Sequence, residues 1–163
     1  MRLKTLLALA LASSTAPAAA MTVFPVTNSA ELVAAIDAAN ATPEADIITL
    51  ERGLYVLKKA HAEDRRAALP EIKSAIVIRG NGSELRRYAT DDFRLFHVAE
   101  GAHLRLEGVI LAEGSIGVIR NHGTAELRRV ALVDSTARGA SAIVENYGEM
   151  RFDILRQLIA DSA

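Results

Sequence analysis

The chain has 163 residues, the length of one domain, and half of them are hydrophobic, enough for a sizeable core. Aromatic residues make up only 4% and tryptophan is absent, so that core must be aliphatic; a formal net charge of −1 gives no electrostatic case for nucleic acid or an anionic membrane. The absence of cysteine excludes disulfides, thiol catalysis, thiolate-ligated zinc and a lipid-anchored cysteine.

Arg2 and Lys4 precede an unbroken apolar run from Leu6 to Ala12, and Ser13 to Ala20 is a stretch of mostly small residues ending in Ala18-Ala19-Ala20. A basic start, an apolar centre and an A-x-A site are the parts of a secretory signal. A membrane span needs about 20 apolar residues, and Ser13, Ser14 and Pro17 interrupt this run. Cleavage after Ala20 is therefore expected, leaving residues 21–163 as one exported domain, periplasmic or secreted, with no later membrane span. Loss of Arg2 and Lys4 takes the formal charge from −1 to −3.

Asn28-Ser29-Ala30-Glu31 reads as a capping box. Leu32, Val33, Ile36 and Ala39 then mark one helical face, and Asn40 and Pro43 end it, which predicts a helix over 29–40. Beyond it the apolar period becomes two. Ile48-Thr49-Leu50, Ile76-Val77-Ile78, Leu104-Arg105-Leu106, Ala125-Glu126-Leu127 and Met150-Arg151-Phe152 each read as a strand with one buried face. Their starts are 28, 28, 21 and 25 residues apart, the mark of stacked coils of unequal length over about 46–152. Asn121-His122-Gly123 and Asn146-Tyr147-Gly148 suit tight corners between sheets.

Aligned on their apolar pairs, the strands place Glu51, Arg79, Glu107, Arg128 and Asp153 in one column and Thr49, Val77, Arg105, Glu126 and Arg151 in the next. The first column alternates in sign throughout and the second over its last three members. Parallel strands lie ~4.8 Å apart, so opposite charges there support the pairing. The expected fold is all-β: a right-handed parallel β-helix of about five coils. The 29–40 helix should cap the first rung. In the tail, 153–163, Asp153 with Ile154, Leu155, Leu158 and Ile159 suits a short C-terminal helix. Long excursions are expected at Lys58–Leu69 and Ser83–Arg94, with any binding surface where they fold back.

The order of these motifs carries a family resemblance. Ala34-Ala35-Ile36-Asp37-Ala38-Ala39-Asn40 is followed by Asp46-Ile47-Ile48-Thr49-Leu50, Gly53-Leu54-Tyr55, and Ile76-Val77-Ile78-Arg79-Gly80-Asn81-Gly82. Phe96-His97-Val98, then Gly101 to Gly108, and the Asn-x-Gly turns complete it. Residues 22 to 152 thus resemble the N-terminal region of secreted bacterial β-helix proteins of the pectin-lyase-like type, including those with polymorphic outer-membrane-protein-like repeats. The resemblance implies the scaffold. It leaves activity open among polysaccharide lyases and hydrolases, adhesins, and secreted proteins of unknown role. The arginine-and-proline signature of the lyases is absent, as are the paired aspartates and Gly-His-Gly of polygalacturonases.

Two groups of residues are candidates for chemistry. Glu113 and Asp134 follow Val109/Leu111 and Val130/Leu132 at equivalent positions, so they form a candidate catalytic carboxylate pair one rung apart. Arg86, Arg87, Tyr88, Asp91, Asp92 and Arg94 are the candidate ligand-binding residues, since arginines and a tyrosine grip acidic sugars. Both groups also suit ordinary solvated turns and loops. No cofactor is expected. His61, His97, His103 and His122 make no metal spacing, and calcium, which a carboxylate pair with further oxygens can bind, has no motif here. Three functions remain: a non-catalytic exported scaffold for a surface partner or a polysaccharide, a lyase or hydrolase acting on an acidic glycan, and a shortened family member without independent function. End-to-end self-association through the last rung is a further expectation if the tail leaves that rung open.

Overall fold

The computed structural model of the chain describes residues 20–61, 66–138 and 142–153. They form a parallel β-helix of about five coils with a single helix. Its first face stacks β1 (Val23–Val26), β2 (Asp46–Leu50), the first halves of β4 (Ala75–Arg87) and β6 (His103–Ala112), β8 (Thr124–Arg128) and β11 (Glu149–Asp153). The second stacks β3 (Leu54–Leu57), the second halves of β4 and β6, and β9 (Ala131–Val133). The third stacks β5 (Phe96–Val98), β7 (Ile119–Asn121) and β10 (Val144–Asn146), with Ile72 bridging to Val98 above.

The inward columns are mainly aliphatic, with single aromatics such as Tyr55 and Phe96 among them. Ile48, Ile78 and Leu106 on the first face are fully buried, and Leu127 nearly so. Leu85 and Leu111 on the second face and Phe96 and Ile119 on the third complete the filling. Facing residues Phe24, Ile48, Ile78, Leu106, Leu127 and Phe152 give coil lengths of 24, 30, 28, 21 and 25 residues.

Two of these rungs differ from the sequence expectation. β1 precedes the helix and adds a first rung; its apolar run is short and interrupted by Pro25. Ile48 faces Ile78, and Thr49 faces Arg79, so β2 sits two residues from the expected register. A slip of two keeps every side chain on its own face, so the apolar pattern does not resolve it. Glu51 therefore leaves the charge column. The rest of the ladder stands: Arg79 faces Glu107, Glu107 faces Arg128, and Arg128 faces Asp153.

The second correction concerns Ser83–Arg87, which continues β4 into the second face instead of looping out. Leu85 is the one apolar residue in that stretch. Ser83 also turns inward, and its hydroxyl donates to the Glu51 carbonyl at 2.9 Å. The chain bends between the faces at left-handed residues: Asn81 and Gly82, Gly108, and Arg129. Arg129→Gly removes a strained φ of 52° from this corner. It is expected to raise unfolding free energy by about 0.5–1 kcal/mol, the αL penalty less the added entropy of glycine; urea titration reads the gain.

The helix α1 spans Ser29–Asn40, as the capping box indicates. The Asn28 side chain accepts from the Glu31 amide at 3.0 Å, and the Glu31 carboxylate accepts from the Thr27 amide at 2.8 Å. That amide bond first, and then a bond donated by the Thr27 hydroxyl at 2.9 Å, hold the Glu31 carboxyl below its ordinary value. Leu32, Ile36 and Ala39 are fully buried against the first coil, closing the upper end of the core. The expected C-terminal helix at Ile154, Leu155, Leu158 and Ile159, and the signal over 1–20 up to residue 19, lie outside the described residues. Among the described residues no helix is long and apolar enough to cross a membrane.

Candidate functional site

The corner after the second face carries the carboxylate pair. Ile110 faces Ala131, Leu111 faces Leu132 and Ala112 faces Val133, so Glu113 and Asp134 follow at matching positions on neighbouring rungs. Both take left-handed backbone, with φ of 63° and 48°. The Glu113 amide donates to the Val133 carbonyl at 3.1 Å, which ties the two turns together. Left-handed φ is common for aspartate and strained for glutamate. Both side chains are solvent-accessible.

Arg86 reaches this corner from the rung above, since it faces Ala112. Its guanidinium bonds Glu84 on the same outward row and lies 4.0 Å from Glu113. The Glu84 bond, then the Glu84 charge, push the Arg86 pKa up; Glu113 and Asp134 add smaller pulls, and burial opposes them. The corner thus holds one arginine among three carboxylates. It offers a cation with one flank accessible and two acids on adjacent rungs.

The other expected binding residues divide. The Arg87 guanidinium donates to the Asp91 carbonyl at 2.9 Å, lies 3.8 Å from the Asp92 carboxylate and covers the buried Phe93 ring at 5.2 Å. Arg87 therefore closes its own loop. Tyr88, Asp91 and Asp92 are exposed on that loop, Tyr88 at 72%. Arg94 leaves the group: it is 1% exposed, and its guanidinium lies 3.7 Å from the buried Glu145 carboxylate. Sequence reading placed Arg94 in a polar loop, but the apolar run from Phe93 to Phe96 draws it inside.

Two features were missed. On the outward row of the third face, His97 faces Arg120 and Arg120 faces Glu145. Glu71 lies 3.5 Å from His97, and Arg120 bonds Glu145 at 2.7 Å. This is a second charge ladder, hidden because its strands are only three residues long. At the following corner the His122 and Tyr147 rings stack at 4.9 Å and 9°, with His97 edge-on to His122 at 5.5 Å. Their shared place in the Asn-x-Gly turns was a usable signal.

Charge concentrates most at Glu126 on the first face. Its carboxylate is 2.7 Å from Arg105, 3.6 Å from Arg128, 3.7 Å from Arg151 and 3.9 Å from His103. The Arg105 bond above all, with the neighbouring charges against the opposing effect of burial, holds its carboxyl below the ordinary 4.5. A depressed acid stabilises the fold fully above that ordinary value and loses its contribution as pH falls through the lower folded value. In acid titrations of urea stability below about pH 5, Glu126→Gln is therefore expected to fall less steeply than the parent; parallel acid limbs refute this.

Among the described residues no three or more histidine and acidic side chains gather as a metal site. Comparison with protein-family models, with curated proteins and with solved structures gives no match.

Proposed function

We propose that this chain is an exported, non-catalytic β-helix scaffold that presents a partner- or glycan-binding surface. The observation that carries this reading is the setting of the two acids: Glu113 and Asp134 are solvent-accessible corner residues in left-handed backbone. Export rests on the N-terminal signal pattern, and kinship with pectin-lyase-like β-helix proteins rests on the motifs of residues 22 to 152. Within this reading the binding surface centres on Arg86 and Tyr88, beside the second-face corner, and an acidic glycan is the ligand its arginine favours.

The purified chain is expected to retain acidic polysaccharides in affinity electrophoresis without cleaving them. Arg86→Ala should weaken retention about tenfold, the loss of one charge-assisted bond. Lys73→Ala serves as the control, because it removes an exposed cation away from that corner. Retention unchanged in Arg86→Ala rejects the surface.

The adjacent-rung placement of Glu113 and Asp134 favours one second reading, a lyase or hydrolase working through that pair. Turnover by the parent that both Glu113→Ala and Asp134→Ala abolish establishes it and overturns the scaffold.

A further inference from the structure

The two ends of the stack are finished differently. At the upper end α1 covers the core, and the β1 edge is blunted. The Ile47 amide donates to the Thr22 carbonyl and the Glu51 amide to the Val26 carbonyl, so even-numbered residues of β1 face β2. Pro25, an odd-numbered residue, faces the free edge, where it has no N–H to offer. At the lower end, β11 pairs only with β8 among the described residues. The Glu149 amide donates upward to the Gly123 carbonyl, so the N–H and C=O groups of Met150 and Phe152 point to the open edge. The lowest inward side chains are apolar and incompletely covered there: Phe152 is 55% exposed, and Leu132 and Val144 are only partly buried.

We propose that this lower end is a self-association surface, on which a second copy of the chain docks through β11 in antiparallel pairing about a two-fold axis at Met150. That register sets Glu149 of each copy opposite Arg151 of the other, twice over. Both side chains are exposed, at 70% and 68%, and their charges are complementary only between unlike positions, which an antiparallel two-fold supplies. It also sets Met150 against its own copy as a hydrogen-bonded pair, while Phe152, last of the inward column of the first face, covers the joined cores. The two-fold pairing uses the same lower-end patch of both copies, so it closes at two and does not extend into a fibre. This inference does not depend on the glycan reading.

Sedimentation velocity of the purified chain is expected to show a concentration-dependent dimer and nothing larger. Arg151→Glu sets like charges opposite each other twice and should weaken it about tenfold or more. The chain has no cysteine, so Met150→Cys supplies one thiol per copy at the axis. Cα atoms of a hydrogen-bonded antiparallel pair lie about 5.5 Å apart, within disulfide reach. Mild oxidation should therefore yield a covalent dimer, and the same change at exposed Glu100 should not. A monomer at every concentration, without cross-linking, overturns the proposal. So does a monomer that dimerises only when cut after Asp153, because the chain's own last ten residues then fill the end. Open-ended growth overturns the two-fold.

Discussion

Gly123→Ala is expected to lower stability by about 3 kcal/mol, the upper range for overpacking, and Tm by about 10 °C in a domain of this size. The physical cause is backbone crowding. A Cβ at this position would lie 2.3 Å from the Ala102 carbonyl oxygen and 2.4 Å from that of Ala99. Neither oxygen belongs to a flexible side chain, so relief requires moving the coil above. The crowding recurs one rung down, where a Cβ on Gly148 would meet the Gly123 carbonyl oxygen at 2.1 Å. These glycines let successive corners stack at strand spacing. Asn121 fixes the same corner, its amide donating to Asn146 Oδ1 at 2.7 Å and to the Glu149 carbonyl at 2.8 Å. Gly53→Ala is the matched control, since its nearest contact is 3.9 Å. It should be neutral or slightly stabilising through the unfolded chain. Thermal unfolding by circular dichroism distinguishes them, and equal effects at the two sites refute the crowding.

The second large effect is expected at Glu145, whose side chain is only 4% exposed. Arg120 bonds it at 2.7 Å, and Arg94, with a side chain 2% exposed, lies 3.7 Å away. Removing the acid leaves a buried guanidinium without this counter-charge. Losses of this kind are about 3–5 kcal/mol, well above the roughly 0–1 kcal/mol of a surface pair such as Lys73 with Glu71. Glu145→Ala should therefore unfold at much lower urea than the parent, whereas Glu71→Ala should shift little. Arg94→Met combined with Glu145→Leu should recover part of the loss, because an apolar pair needs no compensation. A double variant as unstable as the sum of its single changes refutes a direct coupling.

These sites show what each level of description decides. The repeat of apolar pairs determined the fold class and the order of the coils, and the capping box with its helical spacing determined the helix over 29–40, because period and capping are local properties of neighbouring residues. The columns Arg79–Glu107–Arg128–Asp153 and Arg105–Glu126–Arg151 were equally legible, since the strands from β4 onward are in the expected register. The position of β2 was not, because a slip of two leaves the inward pattern unchanged, and only the hydrogen-bond ladder separates the two registers. The candidate site divides in the same way. The matched places of Glu113 and Asp134 follow from the repeat, but their left-handed backbone and their approach to Arg86 are set by the corner and by the rung above. The burial of Arg94 against Glu145 joins residues far apart in sequence, and no local pattern encodes it. Spacing along the chain fixes which residues share a rung face; stacking decides which of them meet, and which of the charges lose their water.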